Sequence, residues 1–324
     1  MTSVAFVVPT VGRPSLGTLL TRLPAGAGEV IVVDDRPVKR APLWTSPSAR
    51  VISGPGRGPA AARNAGWRAS DAGWIVFLDD DVIPGPGWWG DLLADLAQPE
   101  TVAGVQARIL VPQGHPNERS DWAACTARLS DAAWITADMA YRREALEEVG
   151  GFDERFRRAY REDTDLAYRI RQSGRELVLG RRRTLHPVRT EGRWISLRMQ
   201  RGNADDALLR RRYGAGWHRR LGVPRGRRRL HAVTTASALA TAAWTVSALT
   251  RKRARFKTAG LLAGTTWALA TTEFVLSRRR HAPAEPLAAL IATSIAIPPV
   301  AIAHWLRGWW KHRHTGRCHP VYLH

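Results

Sequence analysis

Three consecutive aspartates, Asp79, Asp80 and Asp81, follow the apolar residues 74–78 in the stretch WIVFLDDDVIPGPGWW. Carboxylates this close repel one another, and at the end of a buried strand each is costly to desolvate unless something pairs it. A hard divalent cation, Mn²⁺ or Mg²⁺, suits such a site: it takes one or two protein carboxylates and completes its shell with phosphate and water. The competing reading is a turn, for which DVIPGPG carries the right residues. A second chemical candidate is Asp163, in YREDTDLAYRIRQSG. A helix starting near Glu162 places this aspartate in the first turn, where the backbone dipole favours the ionised form that a general base needs. The alternative role for Asp163 is to cap that helix. The same spacing sets Asp163, Leu166, Ala167 and Ile170 on one inward face. Asp165 and Arg169 then form an i, i+4 pair on another face, expected as a solvated ion pair.

The elements around these acids alternate. SVAFVVP (3–9), EVIVVDD (29–35), ARVISG (49–54) and WIVFLDDD (74–81) read as strands, and PSLGTLLTRL (14–23) and PAAARNAGWRAS (59–70) as helices. Continuous apolar strands between helices predict a mostly parallel sheet covered on both faces. Ligands bind such sheets beyond the carboxyl ends of the strands, which is where Thr10, Asp34, Asp35 and Asp79–Asp81 fall. Longer strands are expected over 102–112 and 132–143, followed by a helix that Gly150 and Gly151 stop. ELVLG then reads as a strand and RRRT as a basic turn before His186.

VVPTVGRP, VIVVDD, GPAAARNAGW, IVFLDDD, ADMAYRREALEEVGGFDE and REDTDLAYRIRQSGREL occur in this order over residues 3–200. In sequence and spacing the set resembles the GT-A type, family 2 inverting glycosyltransferases. The resemblance implies an α/β fold, the GT-A nucleotide-diphospho-sugar transferase fold, with a mostly parallel central sheet flanked by helices. It implies that Pro9, Thr10 and Asp35 hold the nucleotide, that Arg63 lies near the diphosphate, and that Asp79 and Asp80 approach the ribose and diphosphate. Asp81 would be the principal metal ligand, with Asp79 beside it. A late histidine completes the metal shell in some such enzymes; His186 is placed for that role, with a plain loop residue as the alternative. Asp163 would be the catalytic base, with Glu162 and Asp138 on the acceptor side.

Three departures refine this. The processive QxxRW signature is absent, since RWISLRMQRGNADDALLRRRYG carries its Arg-Trp at the wrong end, so transfer of a single sugar is expected. Asp138 stands where the family more often has Asn. DDRPVKR lacks the small polar residue usual after the acids, which leaves the base of the nucleotide open.

The chain of 324 residues carries a formal net charge of +21, distributed unevenly. Residues 225–324 hold 16 Lys or Arg against Glu273 and Glu285 alone, a net +14. The same region contains the apolar segments 231–249, 259–276 and 286–306, separated by basic clusters and rich in Trp. Catalysis is therefore expected in 1–224, with a membrane-associated helical tail in 225–324 that meets anionic headgroups. The segments are Ala/Thr-rich, and Glu273 and Pro298–Pro299 interrupt two of them, so interfacial helices compete with spanning ones. A twice-spanning hairpin would put RKRARFK outside, against the positive-inside rule. The opening MTSVAFVVPTVGRP lacks a signal-peptide pattern, and Cys125 and Cys318 have no metal-ligand spacing. These features predict an enzyme at the cell membrane with its catalytic part on the cytoplasmic side, acting on a lipid-linked or glycan acceptor. Two rivals are a nucleotidyltransferase, for which PTVGRPS is a poor phosphate loop, and a non-catalytic nucleotide-sugar binder. Nucleic-acid binding is not expected, because the basic clusters flank apolar segments and no nucleic-acid motif accompanies them.

Overall fold

The computed structural model describes residues 3–316, apart from Arg40, Trp44, Gln113 and residues 252–256. Cys318 and most of the RKRARFK cluster lie outside the described residues. In chain order the elements are β1 (Val4–Thr10), α1 (Ser15–Arg22), β2 (Glu29–Asp34), β3 (Ala49–Ser53), α2 (Pro59–Arg68), β4 (Trp74–Leu78), β5 (Ile83–Pro84) and α3 (Trp88–Leu96). Then come β6 (Val102–Leu110), α4 (Asp121–Ala127), β7 (Asp138–Arg142), α5 (Arg143–Val149), α6 (Glu162–Gln172) and β8 (Glu176–Leu185). The remaining elements are helical: α7 (Ile195–Met199), α8 (Asn203–Tyr213), α9 (Trp217–Arg220), α10 (Arg228–Arg251), α11 (Lys257–His281) and α12 (Leu287–Lys311). They form two compact units, one of residues 1–112 with 126–189, the other of 113–125 with 190–318.

The first unit is built on one eight-stranded sheet of order β3-β2-β1-β4-β7-β6-β8-β5. Strands β3, β2, β1 and β4 are mutually parallel, β7 runs against both β4 and β6, and β8 is parallel to β6. The carboxyl ends of β1, β2, β4, β6 and β8 therefore share one edge. Both faces are covered, as the unbroken apolar strands require: Val4 through Val8 and Trp74 through Leu78 are buried without a gap. Phe6, Val76 and Leu78 join Leu16, Leu19, Trp88 and Leu92 in one core layer. On β1, helix α2 packs so closely that a Cβ on Gly66 would lie 2.3 Å from Val7 Cγ1.

Two expected elements differ. The strand expected over 132–143 is confined to β7, because Trp134 takes a left-handed φ of 63°. The Gln106 side chain there replaces ladder bonds, donating to Ala132 O and accepting from Ile135 N. RRRT is no turn: β8 runs through it with Arg181 and Arg183 outward and Arg182 and Thr184 buried. Arg182 is tolerated inside because Asp95 and Asp138 flank its guanidinium.

In the second unit, α10 and α11 pack along each other and α12 packs along α8. Neither expected interruption breaks a helix: α11 continues through Glu273, which pairs with Arg227, and α12 continues through Pro298–Pro299. Among the described residues, α12 is the helix long and apolar enough to cross a membrane.

Candidate functional site

The acids at the carboxyl edge divide into three kinds. Asp80 is buried and already bound: Thr10 Oγ1 donates to it at 2.6 Å and Arg13 Nη1 at 2.5 Å. Thr10 in turn accepts from Gly12 N at 2.9 Å, so β1 and the turn after it are tied to the strand-end acids. Pro9 sits one residue earlier on β1, paired with Val33 of β2. Asp35 shapes a loop, accepting from Gly56 N at 2.6 Å and Gly58 N at 2.9 Å. Gly58 is required there: its φ is +98°, and a Cβ would lie 2.4 Å from Arg157 O. Asp34 is held by Arg36 in a two-pronged contact that keeps its carboxyl below the usual range.

Asp79 and Asp81 turn the other way. Their oxygens and an imidazole nitrogen of His186, which follows β8, all lie within 4.8 Å of one another. Burial, and then the neighbouring Asp79, push the Asp81 carboxyl up; His186 and Arg189 pull it back. Arg189 Nε approaches Asp81 at 3.2 Å and His186 Nε2 at 3.8 Å. Two hard carboxylate oxygens and one imidazole nitrogen converging this closely fit a divalent cation.

Arg63 links this group to α6. Its side chain is 2% exposed, with Nη2 donating to Asp79 at 2.8 Å and Nη1 to Glu162 at 2.9 Å. Burial works against the charge, but Asp79 and Glu162 outweigh it and the guanidinium stays ionised. Arg63 Nε and Glu162 Oε2 are buried without a hydrogen-bond partner among the described residues. Burial, followed by Asp163, pushes the Glu162 carboxyl up to about 8. Asp163 lies half-buried in the first turn of α6, and its Oδ1 accepts from Thr164 N at 2.7 Å. Its carboxyl is also pushed up, by burial above all, against the Thr164 hydrogen bond and the charges of Arg63 and Arg161. The first-turn position, expected to favour the ionised form, thus carries a carboxyl that burial raises. Arg161, immediately before the pair, has a left-handed φ of 76°. Behind them, the buried Tyr141 hydroxyl has no hydrogen-bond partner among the described residues.

Most of the expected residues thus gather at one edge, but Asp138 does not face it. It is fully buried, accepting from Arg182 Nε at 2.8 Å, Trp88 Nε1 at 2.7 Å and Thr184 Oγ1 at 2.5 Å, so no surface remains for an acceptor. Glu162, expected on the same side, is buried against Arg63 rather than open. Arg63 itself bridges two carboxylates. Asp165 and Arg169 are not solvated either: Asp165 has no exposed surface, and Arg169 also donates to Val149 O and Gly151 O at 2.7 Å. Sequence reasoning missed Arg13 and Arg189. In a chain this rich in arginine no spacing singles them out; the signal was the excess of acids at the strand ends, which needed cations from nearby turns.

Residues 6–162 match the family model described as glycosyl transferase family 2. The pre-mycofactocin glycosyltransferases of two Mycobacterium tuberculosis strains are 36% identical over 134 residues, covering 37% of this chain and 28% of theirs. The chain thus spans little more than a quarter of the length of these curated relatives. A mannosyltransferase from Pyrobaculum calidifontis, solved with GDP-Man and Mn²⁺, aligns over 95% of this chain and 87% of its own at 18% identity, with a TM-score of 0.50. That likeness concerns the fold, and the mixed sheet with its flanking helices is the GT-A fold.

Proposed function

Because residues 6–162 are a family 2 glycosyl transferase domain, we propose that this chain transfers a single sugar, with inversion, from a nucleotide-sugar donor to an acceptor hydroxyl. The observation that carries the reading is the convergence of Asp79, Asp81 and His186 at the sheet edge, joined through Arg63 to the Glu162–Asp163 turn. The curated relatives are glycosyltransferases by name, which supports sugar transfer.

Asp81, Asp79 and His186 would hold Mn²⁺ or Mg²⁺, which neutralises charge on the departing nucleoside diphosphate when bound. Asp163 takes the acceptor proton as the glycosidic bond forms. Its Oδ1 is held by Thr164 N, leaving Oδ2 for the incoming hydroxyl. A carboxyl raised by burial is a stronger base than a surface aspartate, as proton abstraction from a hydroxyl requires. One base and one displacement give inversion at the sugar carbon. Arg63 fixes Asp79 and Glu162 relative to each other, while Asp80 fixes Thr10 and Arg13 beneath the nucleotide.

The acceptor is a lipid-linked or other glycan hydroxyl at the cytoplasmic face of the cell membrane, in synthesis of envelope glycans or glycolipids. Residues 1–224 carry catalysis, and 225–324 meet anionic headgroups. The basic clusters and apolar segments of the tail support this placement. The test is release of nucleoside diphosphate by the full chain from UDP, GDP and dTDP sugars, with Mn²⁺ or EDTA, and the anomeric configuration of the product by NMR. Mn²⁺-dependent turnover with an inverted product is expected. Pyrophosphate release would mark a nucleotidyltransferase, and EDTA-insensitive turnover would remove the metal assignment.

A further inference from the structure

Composition singles out α12 as the membrane-crossing helix, but its surroundings do not allow it to cross. In its first third, Arg278 of α11 donates to Thr293 Oγ1 at 2.9 Å and Ser294 Oγ at 2.7 Å. The same guanidinium reaches Asp121 at 3.0 Å and Ser196 Oγ at 3.4 Å. Near its other end, Gly308 lies against α8, where a Cβ would fall 2.5 Å from Ala204 Cα. The Arg211 guanidinium stacks 3.3 Å from the Trp309 ring. From Ser294 to Trp309 a helix rises roughly 22 Å, and 195–213, with Asp205, Asp206 and Arg210–Arg212, accompanies it over that length. A crossing α12 would drag these charges into hydrocarbon at several kcal/mol apiece.

The α10–α11 pair is the reverse case. Along α11, Gly260, Ala263, Gly264, Trp267, Thr271 and Phe274 are among the covered positions and form a stripe at helical spacing. Gly260 sits on the Trp244 ring, where a Cβ would lie 2.1 Å away. Outside that seam the outer parts of both helices are open, including Leu239 at 67%, Val246 at 61%, Leu261 at 68% and Leu269 at 67%. Three hydroxyls on the outer parts, those of Thr241, Thr245 and Thr266, each donate to the carbonyl four residues earlier, as an apolar surrounding demands. The acid of α11, Glu273, is paired with Arg227 at the base.

We propose that α10 and α11 enter an anionic bilayer as a two-helix hairpin, while α12 stays outside the hydrocarbon as their buttress. Leu239 and Val246 share one face of α10, and Leu261, Leu262 and Leu269 one face of α11, each away from the seam, so the pair is apolar on two outer sides; a second copy of the chain would cover one of them, whereas lipid covers both. Exposed basic residues stand at the base of the apolar length, Arg229 where α10 begins and Arg279 and Arg280 where α11 ends, matching headgroup phosphates. The inference rests on the membrane reading above and specifies which helices carry it.

The test uses the full chain in a Cys125→Ser, Cys318→Ser background, with an environment-sensitive fluorophore on Leu239→Cys, Leu262→Cys or Ile295→Cys. It is mixed with vesicles of phosphatidylcholine and phosphatidylglycerol containing a deep-chain spin-labelled lipid. Labels at 239 and 262 should be quenched several-fold more than the label at 295. Quenching at 295 equal to or stronger than at the hairpin overturns this inference alone. Failure of the unlabelled full chain to float with these vesicles, with donor hydrolysis intact, overturns the membrane reading itself. The double variant Leu239→Glu, Leu262→Glu should lose flotation several-fold and keep donor hydrolysis; unchanged flotation would also overturn the inference.

Discussion

Two clusters of acids and a buried arginine lie in the sheet-bearing unit and are finished to different degrees. Around Arg182 every group is answered: Asp95 and Asp138 flank the guanidinium, Val105 O accepts from Nη2, and Trp88 and Thr184 complete Asp138. Around Arg63 the cluster stays open, with Arg63 Nε, Glu162 Oε2 and the Tyr141 hydroxyl unpaired among the described residues and Asp81, Glu162 and Asp163 all pushed up. Buried polar groups without partners are costly, so a fold keeps them where a ligand will supply what is missing. On this reading the closed cluster is scaffold and the open one is the site proposed above.

The largest effect is expected at Asp163. Asp163→Asn keeps the size and the Thr164 contact but cannot take a proton. The transfer rate should fall on the order of 10² to 10⁴-fold, with donor and metal binding near normal. Single-turnover rates beside donor titrations would show it. Transfer retained within a few fold would make Asp163 structural and move the search for the base to Glu162.

Next come charge removals with opposite consequences. Arg182→Met should cost about 3–5 kcal/mol of stability, because Asp95 and Asp138 are left buried without their counter-charge. Asp81→Asn removes repulsion from Asp79 together with a proposed metal ligand. Its melting temperature should match or exceed that of the parent, while Mn²⁺-dependent donor binding is lost. If Asp81→Asn destabilised the chain as much as Arg182→Met, the distinction between open and closed clusters would collapse.

Much of this was legible in the residues themselves. Strands β1, β2 and β4 and helices α2 and α6 were marked by apolar runs, turn residues and spacing, and the strand-end acids by their position after those runs. What could not be read was which polar residues face inward. RRRT has the composition of a turn, yet alternation hides Arg182 beneath the sheet because two acids from α3 and β7 meet it there. Such partners are distant in sequence, so no local pattern reports them. The same holds for Asp138 and for Asp165, each buried by groups that only the tertiary fold brings near. In the tail, composition changes at Pro224, whereas the compact units part at Arg189, because α8 packs along α12 and buries Leu208 and Leu209.

A smaller effect follows from Glu162, raised from 4.5 to about 8. Between those values the folded chain holds a proton that the unfolded chain has released. The contribution to stability is therefore full below 4.5 and is lost as pH climbs through about 8. In EDTA, to keep metal from competing, the thermal midpoint should fall across this interval. Glu162→Gln should flatten the dependence, and an identical slope in the variant would remove the assignment to this residue.

The smallest effect should come from Arg143 and Glu147, whose i, i+4 spacing matches that of Arg169 and Asp165. The two pairs have the same nitrogen to oxygen distances within 0.1 Å, 2.8 and 2.9 Å, yet Glu147 is 52% exposed and Asp165 is not exposed at all. An exposed pair gains little, because water solvates each partner nearly as well as the other does and salt screens what remains. Arg143 also keeps its contacts with Trp67 O and Ser70 O when Glu147 is changed. Glu147→Gln should therefore cost about 0.2–0.5 kcal/mol, at the edge of what urea unfolding resolves, and less at high salt. Asp165→Asn leaves a largely covered Arg169, 12% exposed, with two carbonyls and without the Asp165 carboxylate, and its cost should be several times larger and insensitive to salt. Equal costs for the two substitutions would mean that spacing, rather than burial, sets the strength of these pairs.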